Sequence, residues 1–150
     1  MATGYRPASV LGSRTRDRCQ NLDMSDRRRI SSGSPFEDTI GFSRAVRVGD
    51  RVLVSGTGPV WPDGSCPDDA GTQARQCLRI IGAALGEAGA DVGDVVRTRM
   101  YVTSTVHAEA VGAAHASFFG PARPAATMVV VAALLDARWK VEIEAEAEIP

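Results

Sequence analysis

The sequence predicts an α+β domain in which two helices pack on one face of a single sheet. Three observations predict it: two alternating runs joined by a tight turn, two helix-period segments in the middle, and two strand-like runs near the end. A chain of 150 residues fits one domain of ordinary size and is long enough to bury a core.

We place this domain at residues 29–150 and a disordered extension at residues 1–28. The segment up to about residue 26 is rich in Ser, Gly, Arg and Asn and has neither a period of 2 nor one of 3.6. Met24 offers an alternative start codon within it. Arg27, Arg28 and Arg29 predict a solvated charge cluster before the first strand, with an RNA-binding arm as the alternative.

Charge is unevenly distributed along the chain. The first 31 residues contain seven Arg and three Asp, whereas the remainder contains ten basic and fifteen acidic residues. An acidic domain argues against nucleic acid as a partner, because binding to a phosphate backbone depends on clustered Lys and Arg. No apolar run approaches the ~18 residues of a membrane span, and no signal-peptide pattern opens the chain. We therefore expect a cytoplasmic protein without a membrane partner.

Cysteine and histidine positions predict neither a metal site nor a cofactor. Cys19, Cys66 and Cys77 are odd in number and form no CxxC pair, which favours a reduced compartment and idle thiols. His107 and His115 are two helical turns apart, too far to share one metal ion without a third ligand.

The first clear structure signal is a hairpin. FSRAVRV, at residues 42–48, and RVLVSGT, at residues 51–57, both alternate, and Gly49-Asp50 between them suits a type II′ turn. The Pro- and Gly-rich stretch that follows predicts a loop. A helix comes next, ending at Gly89, with one apolar face formed by Ala74, Leu78, Ile81, Leu85 and Ala88.

A strand and a second helix follow. VVRTRMYVT predicts a strand with Val96, Thr98, Met100 and Val102 on one face and Arg97, Arg99 and Tyr101 on the other. Residues 103–105 supply capping hydroxyls for a helix that ends at Gly120-Pro121. Its inner face comprises Val111, Ala114 or His115, and Phe118.

The last two strands differ in character. AATMVVVAALL, at residues 125–135, is apolar at nearly every position, so we expect helices on one side of it and another subunit on the other. In VEIEAEAEI the glutamates recur at a period of 2, and an ion-pair ladder with Arg97 and Arg99 is expected for three of them. Glu142 differs because it lies at the end of a loop, where pockets form.

This order of elements resembles the RidA/YjgF family, also called the L-PSP family. The resemblance covers about residues 30–148 and rests on SRAVRVGDRVLVSGTGP, TQARQCLRIIGAALGEAGADVGDVVRTRMYVT, FFGPARPA and VEIEAEA. It implies a chorismate-mutase-like fold, a homotrimer, and small-molecule clefts between subunits. It also implies hydrolysis of reactive imines or enamines, such as 2-aminoacrylate, to keto acids and ammonia. The ribonuclease role attached to the L-PSP name fits poorly with an acidic domain.

The family's substrate-binding arginine is missing from this chain. Active members carry it just after the R-P-A segment, where it binds the substrate carboxylate, and here that position is Ala126. A methyl group cannot replace the bidentate fork of a guanidinium. Arg123 precedes it by three residues, roughly 10 Å along an extended chain. The resemblance implies three further differences from the family. This chain has Phe42 where many members have an aromatic residue with a hydroxyl, Gly112 where they often have Asn, and Met128 where they have Cys or a similar residue.

Other site positions match the family. The resemblance assigns catalytic roles to Glu142, which would position or activate water, and to Thr127, which would orient the ligand with backbone N–H groups. A carboxyl group in an apolar cleft is expected to have a raised pKa; the alternative is that Glu142 pairs with Arg or Lys140. The expected cleft, with Trp61 or Trp139 near its mouth, is lined by Phe42, Gly56, Thr57, Gly112, Ala126, Thr127, Met128 and Glu142. It favours a neutral or weakly acidic ligand, and a non-catalytic binding or regulatory trimer remains the alternative function.

Overall fold

The computed structural model describes residues 27–150 and consists of one six-stranded sheet with helices on one face. The strand order is β1-β2-β3-β6-β4-β5, and only the β4–β5 pair is parallel. The predicted α+β architecture is confirmed. The elements are β1 Arg27–Ile30, α1 Pro35–Ile40, β2 Ala45–Val48, β3 Arg51–Thr57, α2 Ala70–Ala88, β4 Val95–Val102, α3 Ala108–Phe119, β5 Ala125–Val130 and β6 Val141–Glu148.

The beginning of the domain contains two elements that the sequence did not predict. Strand β1 pairs with β2 and takes in Arg27 and Arg28, which the predicted boundary at residue 29 left in the extension. Helix α1 follows a Ser-rich turn. The Glu37 carboxylate, in the first turn of the helix, accepts hydrogen bonds from the hydroxyls of Ser31 and Ser32 and from the Ser32 N–H. The predicted extension up to residue 26 lies outside the described residues.

The hairpin and the first long helix form as predicted. Gly49 has a φ of 59° and Asp50 keeps a negative φ, which distinguishes a type II′ turn from type I′. Asp69 caps the start of α2 by accepting a hydrogen bond from the Thr72 N–H at 2.7 Å. Gly89 ends the helix with a φ of 82°, a left-handed conformation that a side chain would disfavour.

The core lies between the sheet and helices α2 and α3. Strand β6 shows the division most clearly, since Val141, Ile143, Ala145 and Ala147 are buried under the helices and the intervening glutamates are not. We call the glutamate-bearing side the open face. Alternation along β3, β4 and β6 therefore fixes which side chains face the core and which remain available for contacts on the open face.

One face assignment in β4 is wrong because of a bulge. The pairing of β4 with β6 shifts between Val95 and Arg97. Val95 consequently occupies the core position, while Val96 is 48% exposed. Beyond the bulge Thr98, Met100 and Val102 are buried as predicted.

The prediction that helices bury one face of the apolar run at residues 125–135 is also wrong. Strand β5 stops at Val130 and is the edge of the sheet, beyond the helices that cover the central strands. Ala126 and Val130, on its helix-facing side, are exposed, and only Met128 packs against the core. The single chain thus presents an apolar edge strand, with Val129 43% and Val130 52% exposed.

The expected ion pairs on the open face form around Arg99. Its Nη1 contacts Glu144 and lies 3.1 Å from Glu146, and Arg51 contacts Glu146 at 3.3 Å. Arg97 makes no ion pair with any described residue. Because the participating side chains are partly exposed, each pair contributes little to stability.

Candidate functional site

A bulge in β3 brings two of the predicted site residues together. The pairing of β3 with β6 shifts between Val54 and Thr57, so Ser55 and Gly56 leave the regular ladder. The carboxyl group of Glu142 lies against Gly56. A Cβ placed on Gly56 would be 3.3 Å from Cδ of Glu142 and would overlap with Oε1. Glycine is therefore required here for the close approach of the carboxyl group to the backbone.

Thr57 supports this arrangement from inside the protein. It is buried, and its hydroxyl donates a hydrogen bond to the Ser55 carbonyl at 2.8 Å while accepting one from Arg44 Nη1 at 2.8 Å. Thr57 therefore does not line an open surface of the single chain. Its hydroxyl fixes the backbone of the bulge.

Arg44 is the residue that sequence reasoning missed. Its Nη1 also donates to the Gly56 carbonyl at 2.8 Å, and its guanidinium carbon lies 5.5 Å from the centre of the Phe42 ring. Its Nε is buried and has no partner among the described residues. The run FSRAVRV predicts alternating faces, and within that pattern an arginine is assigned to solvent. One sequence signal could have located it: the hairpin places Arg44 opposite the Ser55-Gly56 pair.

Burial governs the protonation of Glu142. Desolvation is the main cause that raises its pKa above the ordinary value for Glu, and Glu144 raises it further, whereas Arg44 lowers it. The raised pKa agrees with the expectation from the sequence. Glu142 forms no ion pair with any described residue, and Lys140, its suggested partner, instead contacts Asp68 at 2.7 Å.

A loop carrying Trp139 closes one end of this region. The Trp139 ring packs on Gly58, where a Cβ would overlap with it. The loop is held by the buried amide of Gln73, which donates to the carbonyls of Pro67 at 2.8 Å and Arg138 at 3.0 Å and accepts from the Lys140 N–H at 2.7 Å. Trp61 is half-buried in the preceding loop. Phe42, Arg44, Gly56 and Glu142 form what we call the Glu142 half-site.

The remaining predicted residues lie on the edge strand β5 and on α3. Ala126 pairs with Thr98, whose hydroxyl is 2.8 Å from His115 Nε2. Gly112 precedes His115 by three residues, so it lies on the same side of α3. Ala126 and Met128 face the helices, while Thr127 faces the open side. We call the group of Gly112, Ala126 and Met128 the Ala126 half-site, and the side chain of Thr127 lies on the opposite face of β5.

One chain does not bring the two predicted catalytic residues together. Glu142 is opposite Tyr101, which is opposite Val129, whereas Thr127 lies two positions earlier on β5. Two strand spacings and two residues along the strand correspond to about 12 Å between the backbones of Glu142 and Thr127. Within one chain the two residues are therefore not in direct contact.

Other groups add no competing centre to the described part of the chain. Cys77 is fully buried, and desolvation raises the pKa of its thiol. No cluster of three His, Cys, Asp or Glu side chains suited to a metal occurs within residues 27–150, and no helix there is long and apolar enough to cross a membrane. An open depression of about 490 Å³ on the open face, bordered by Leu53, Arg99 and Glu144, contains no predicted site residue.

Fold and site together define a small protein with a mixed sheet, helices on one side and a half-buried carboxyl group at a strand bulge. The family model described as Endoribonuclease L-PSP matches residues 34–149. The 2-iminobutanoate/2-iminopropanoate deaminase of Escherichia coli strain K12 is 36% identical over 110 residues, covering 71% of this chain and 85% of that protein.

Solved structures agree with the match. A YjgF-family protein from Mycobacterium tuberculosis is 48% identical with a TM-score of 0.76, covering 82% of this chain and 99% of the other. Escherichia coli TdcF, solved with bound serine, is 29% identical with a TM-score of 0.69, covering 82% of this chain and 94% of the other. The chain belongs to the RidA/YjgF family.

Proposed function

We propose that this protein hydrolyses imine- or enamine-type metabolites in a cleft between two subunits of a homotrimer. The observation that carries the proposal is the Glu142 carboxyl group, which is partly desolvated against Gly56 and free of ion pairs with the described residues. Such a group exchanges protons closer to neutral pH than an ordinary glutamate does. The proposal requires no cofactor and no metal.

Glu142 acts as the base in this reaction. Its carboxylate accepts a proton from water as the water oxygen adds to the carbon of the protonated imine, which gives a neutral carbinolamine. The carboxyl group then donates this proton to the carbinolamine nitrogen. The regenerated carboxylate accepts the remaining hydroxyl proton as the carbon–nitrogen bond breaks and the carbonyl forms, and it releases that proton to water. The products are a carbonyl compound and ammonia or an amine. Thr127, from the neighbouring subunit, orients the ligand together with backbone N–H groups.

The trimer supplies what one chain lacks. Glu142 and Thr127 are about 12 Å apart within a chain, and the proposal takes Glu142 from one chain and Thr127 from its neighbour. The exposed apolar edge of β5 is a suitable contact surface for a second copy, because Val129 and Val130 would otherwise remain in water.

Ala126 is expected to change the range of substrates. Escherichia coli TdcF was solved with bound serine, which carries a carboxylate. In this chain the position after R-P-A offers only a methyl group, so we expect neutral or weakly acidic imines to be preferred over imino acids. Phe42, Gly56, Gly112 and Met128 line the rest of the cleft, with Thr57 behind the bulge.

The test is the release of carbonyl compound from freshly generated imines, some derived from amino acids and some from neutral amines. We expect Glu142→Gln to lower kcat/KM by about 100-fold or more, since general base catalysis is commonly worth that factor. Ala126→Arg should raise the activity on amino-acid imines relative to neutral ones. Unchanged turnover in Glu142→Gln would contradict the role of Glu142.

The second candidate is a non-catalytic ligand-binding or regulatory trimer in the cytoplasm. It is favoured by the combination of Phe42, Gly112 and Ala126 at positions where the family uses polar groups. Stabilisation by a small metabolite without turnover of any imine would support it, and absence of a thermal shift across a metabolite panel would count against it. We expect no membrane partner and no nucleic acid bound to the folded domain.

A further inference from the structure

Arg44 and Glu142 both contact Gly56. Arg44 Nη1 donates to the Gly56 carbonyl at 2.8 Å, and the Glu142 carboxyl group lies where a Cβ of Gly56 would be. The two charged groups form no ion pair, so they are separated by about the width of one residue. Ordinary bond lengths limit that separation to less than about 9 Å, which is within one Debye length at physiological salt.

The geometry shows a guanidinium fixed in place by the backbone it supports. Its Nη1 bonds to the Gly56 carbonyl and the Thr57 hydroxyl, and the Phe42 ring lies beside it. Its Nε is buried without a partner among the described residues. An unpartnered buried donor is costly, so this one calls for an explanation.

We propose that Arg44 is a positioning residue for Glu142: it fixes the Gly56 bulge against which the carboxyl group rests, and its charge favours the ionised form of that group. The inference rests on the proposed function, because it assumes that Glu142 acts as a base. In this role Arg44 is a fixed cation on the Glu142 side of the site, whereas position 126 carries alanine.

The other charged and titratable groups near Glu142 leave this role to Arg44. Tyr101 of β4 lies directly opposite Glu142, Cys77 of α2 is buried with a raised pKa, and Glu144 of β6 is an anion that disfavours ionisation. Lys140 is engaged with Asp68. Among the described residues, Arg44 is the cation that acts on Glu142, and it lowers the pKa that burial raises.

The experiment is a carbon-13 NMR titration of the Glu142 carboxyl group, assigned by its absence in Glu142→Gln. In Arg44→Gln the midpoint should rise by about 1 unit, the usual effect of removing a nearby opposite charge. In Arg44→Lys, which keeps the charge, it should stay close to the wild-type value. Arg47→Gln is the matched control, because Arg47 also bonds backbone carbonyls, of Gly49 and Ala88, and should leave the midpoint unchanged.

Activity separates this inference from the proposed function. If the wild type hydrolyses imines, the acid limb of the kcat/KM profile should move with the titration midpoint in Arg44→Gln. If it hydrolyses none, the proposed function fails, while the titration still decides whether Arg44 controls the charge of Glu142. Equal midpoints in Arg44→Gln, Arg47→Gln and the wild type would overturn the inference.

A second measurement covers the case in which Arg44→Gln does not fold. In the wild type the Nε–H resonance of Arg44 should shift with pH as Glu142 titrates. In Glu142→Gln that step should disappear. The inference would be overturned if this pH-dependent shift of the Arg44 resonance persisted in Glu142→Gln. It would also be overturned if the shift were missing from both proteins.

Discussion

Replacing Gly56 with alanine tests whether the Glu142 carboxyl group lies against the β3 bulge. The added methyl carbon would be 3.3 Å from Cδ and 3.7 Å from Cγ of Glu142 and would overlap with Oε1. The carboxyl group must therefore turn away. Overpacking of this kind costs about 1–3 kcal/mol, and alanine recovers about 0.5–1 kcal/mol relative to glycine within a strand. We expect a net loss of about 1–2 kcal/mol in the free energy of unfolding.

The assay is urea unfolding of Gly56→Ala in three backgrounds, at one fixed protein concentration because assembly affects apparent stability. The loss should be similar in the wild type and in Glu142→Gln, since glutamine has the same shape as glutamate. In Glu142→Ala the loss should give way to the gain of about 0.5–1 kcal/mol expected for alanine in a strand, because the overlapping atoms are gone. Displacement of the carboxyl group by about 1 Å should also lower kcat/KM by about 100-fold.

Gly86→Ala is the control for the general effect of replacing a glycine. Gly86 lies within α2, and a Cβ there would meet no atom within 4 Å. This variant should be more stable than the wild type by about 0.5–1 kcal/mol. If Gly56→Ala costs the same in all three backgrounds, the carboxyl group of Glu142 does not lie against Gly56 and the geometry of the half-site is wrong.

Two further predictions concern the start of the domain and the edge of the sheet. Hydrogen bonds from Ser31 and Ser32 lower the pKa of Glu37. The ionised Glu37 therefore stabilises the folded protein fully above the ordinary pKa of Glu, about 4.3. This contribution is lost as pH falls through the lowered pKa. Between about pH 6 and about pH 3, the free energy of unfolding in urea should fall in the wild type and fall less steeply in Glu37→Gln. Equal dependence on pH in the two proteins would contradict the role of Glu37. Val129→Glu should convert the proposed trimer to monomer in analytical ultracentrifugation, whereas Val106→Glu, at another exposed valine, should leave the trimer intact; a trimeric Val129→Glu would remove β5 from the interface.

Local signals made the hairpin and α2 predictable. Gly49-Asp50 encodes its turn through the φ that glycine tolerates, and Gly89 ends α2 for the same reason. The buried face of α2 can be recognised in the sequence, because apolar residues recur every three or four positions along one face of a helix. Such features depend on neighbours in the sequence, so they can be recognised before the strand order is known.

Features that depend on distant pairing could not be predicted. The bulge that exposes Val96 arises from the register between β4 and β6, and the exposure of Val130 arises from the place of β5 at the sheet edge. The role of Arg44 is likewise hidden in the sequence, because its partners Gly56 and Thr57 are brought to it by the hairpin. The resemblance to the family located Glu142 but said nothing of the contact with Gly56.

The position of β6 has a consequence for the order of folding during synthesis. Strand β6 is the last along the chain, yet it lies between β3 and β4 and joins the β1-β2-β3 and β4-β5 parts of the sheet. Until the ribosome has released residues 141–148, those two parts have no strand connecting them, and their facing edges remain unpaired. A nascent chain in that state is exposed to association with other chains. Completion of the sheet therefore depends on β6, which is synthesised after the other five strands.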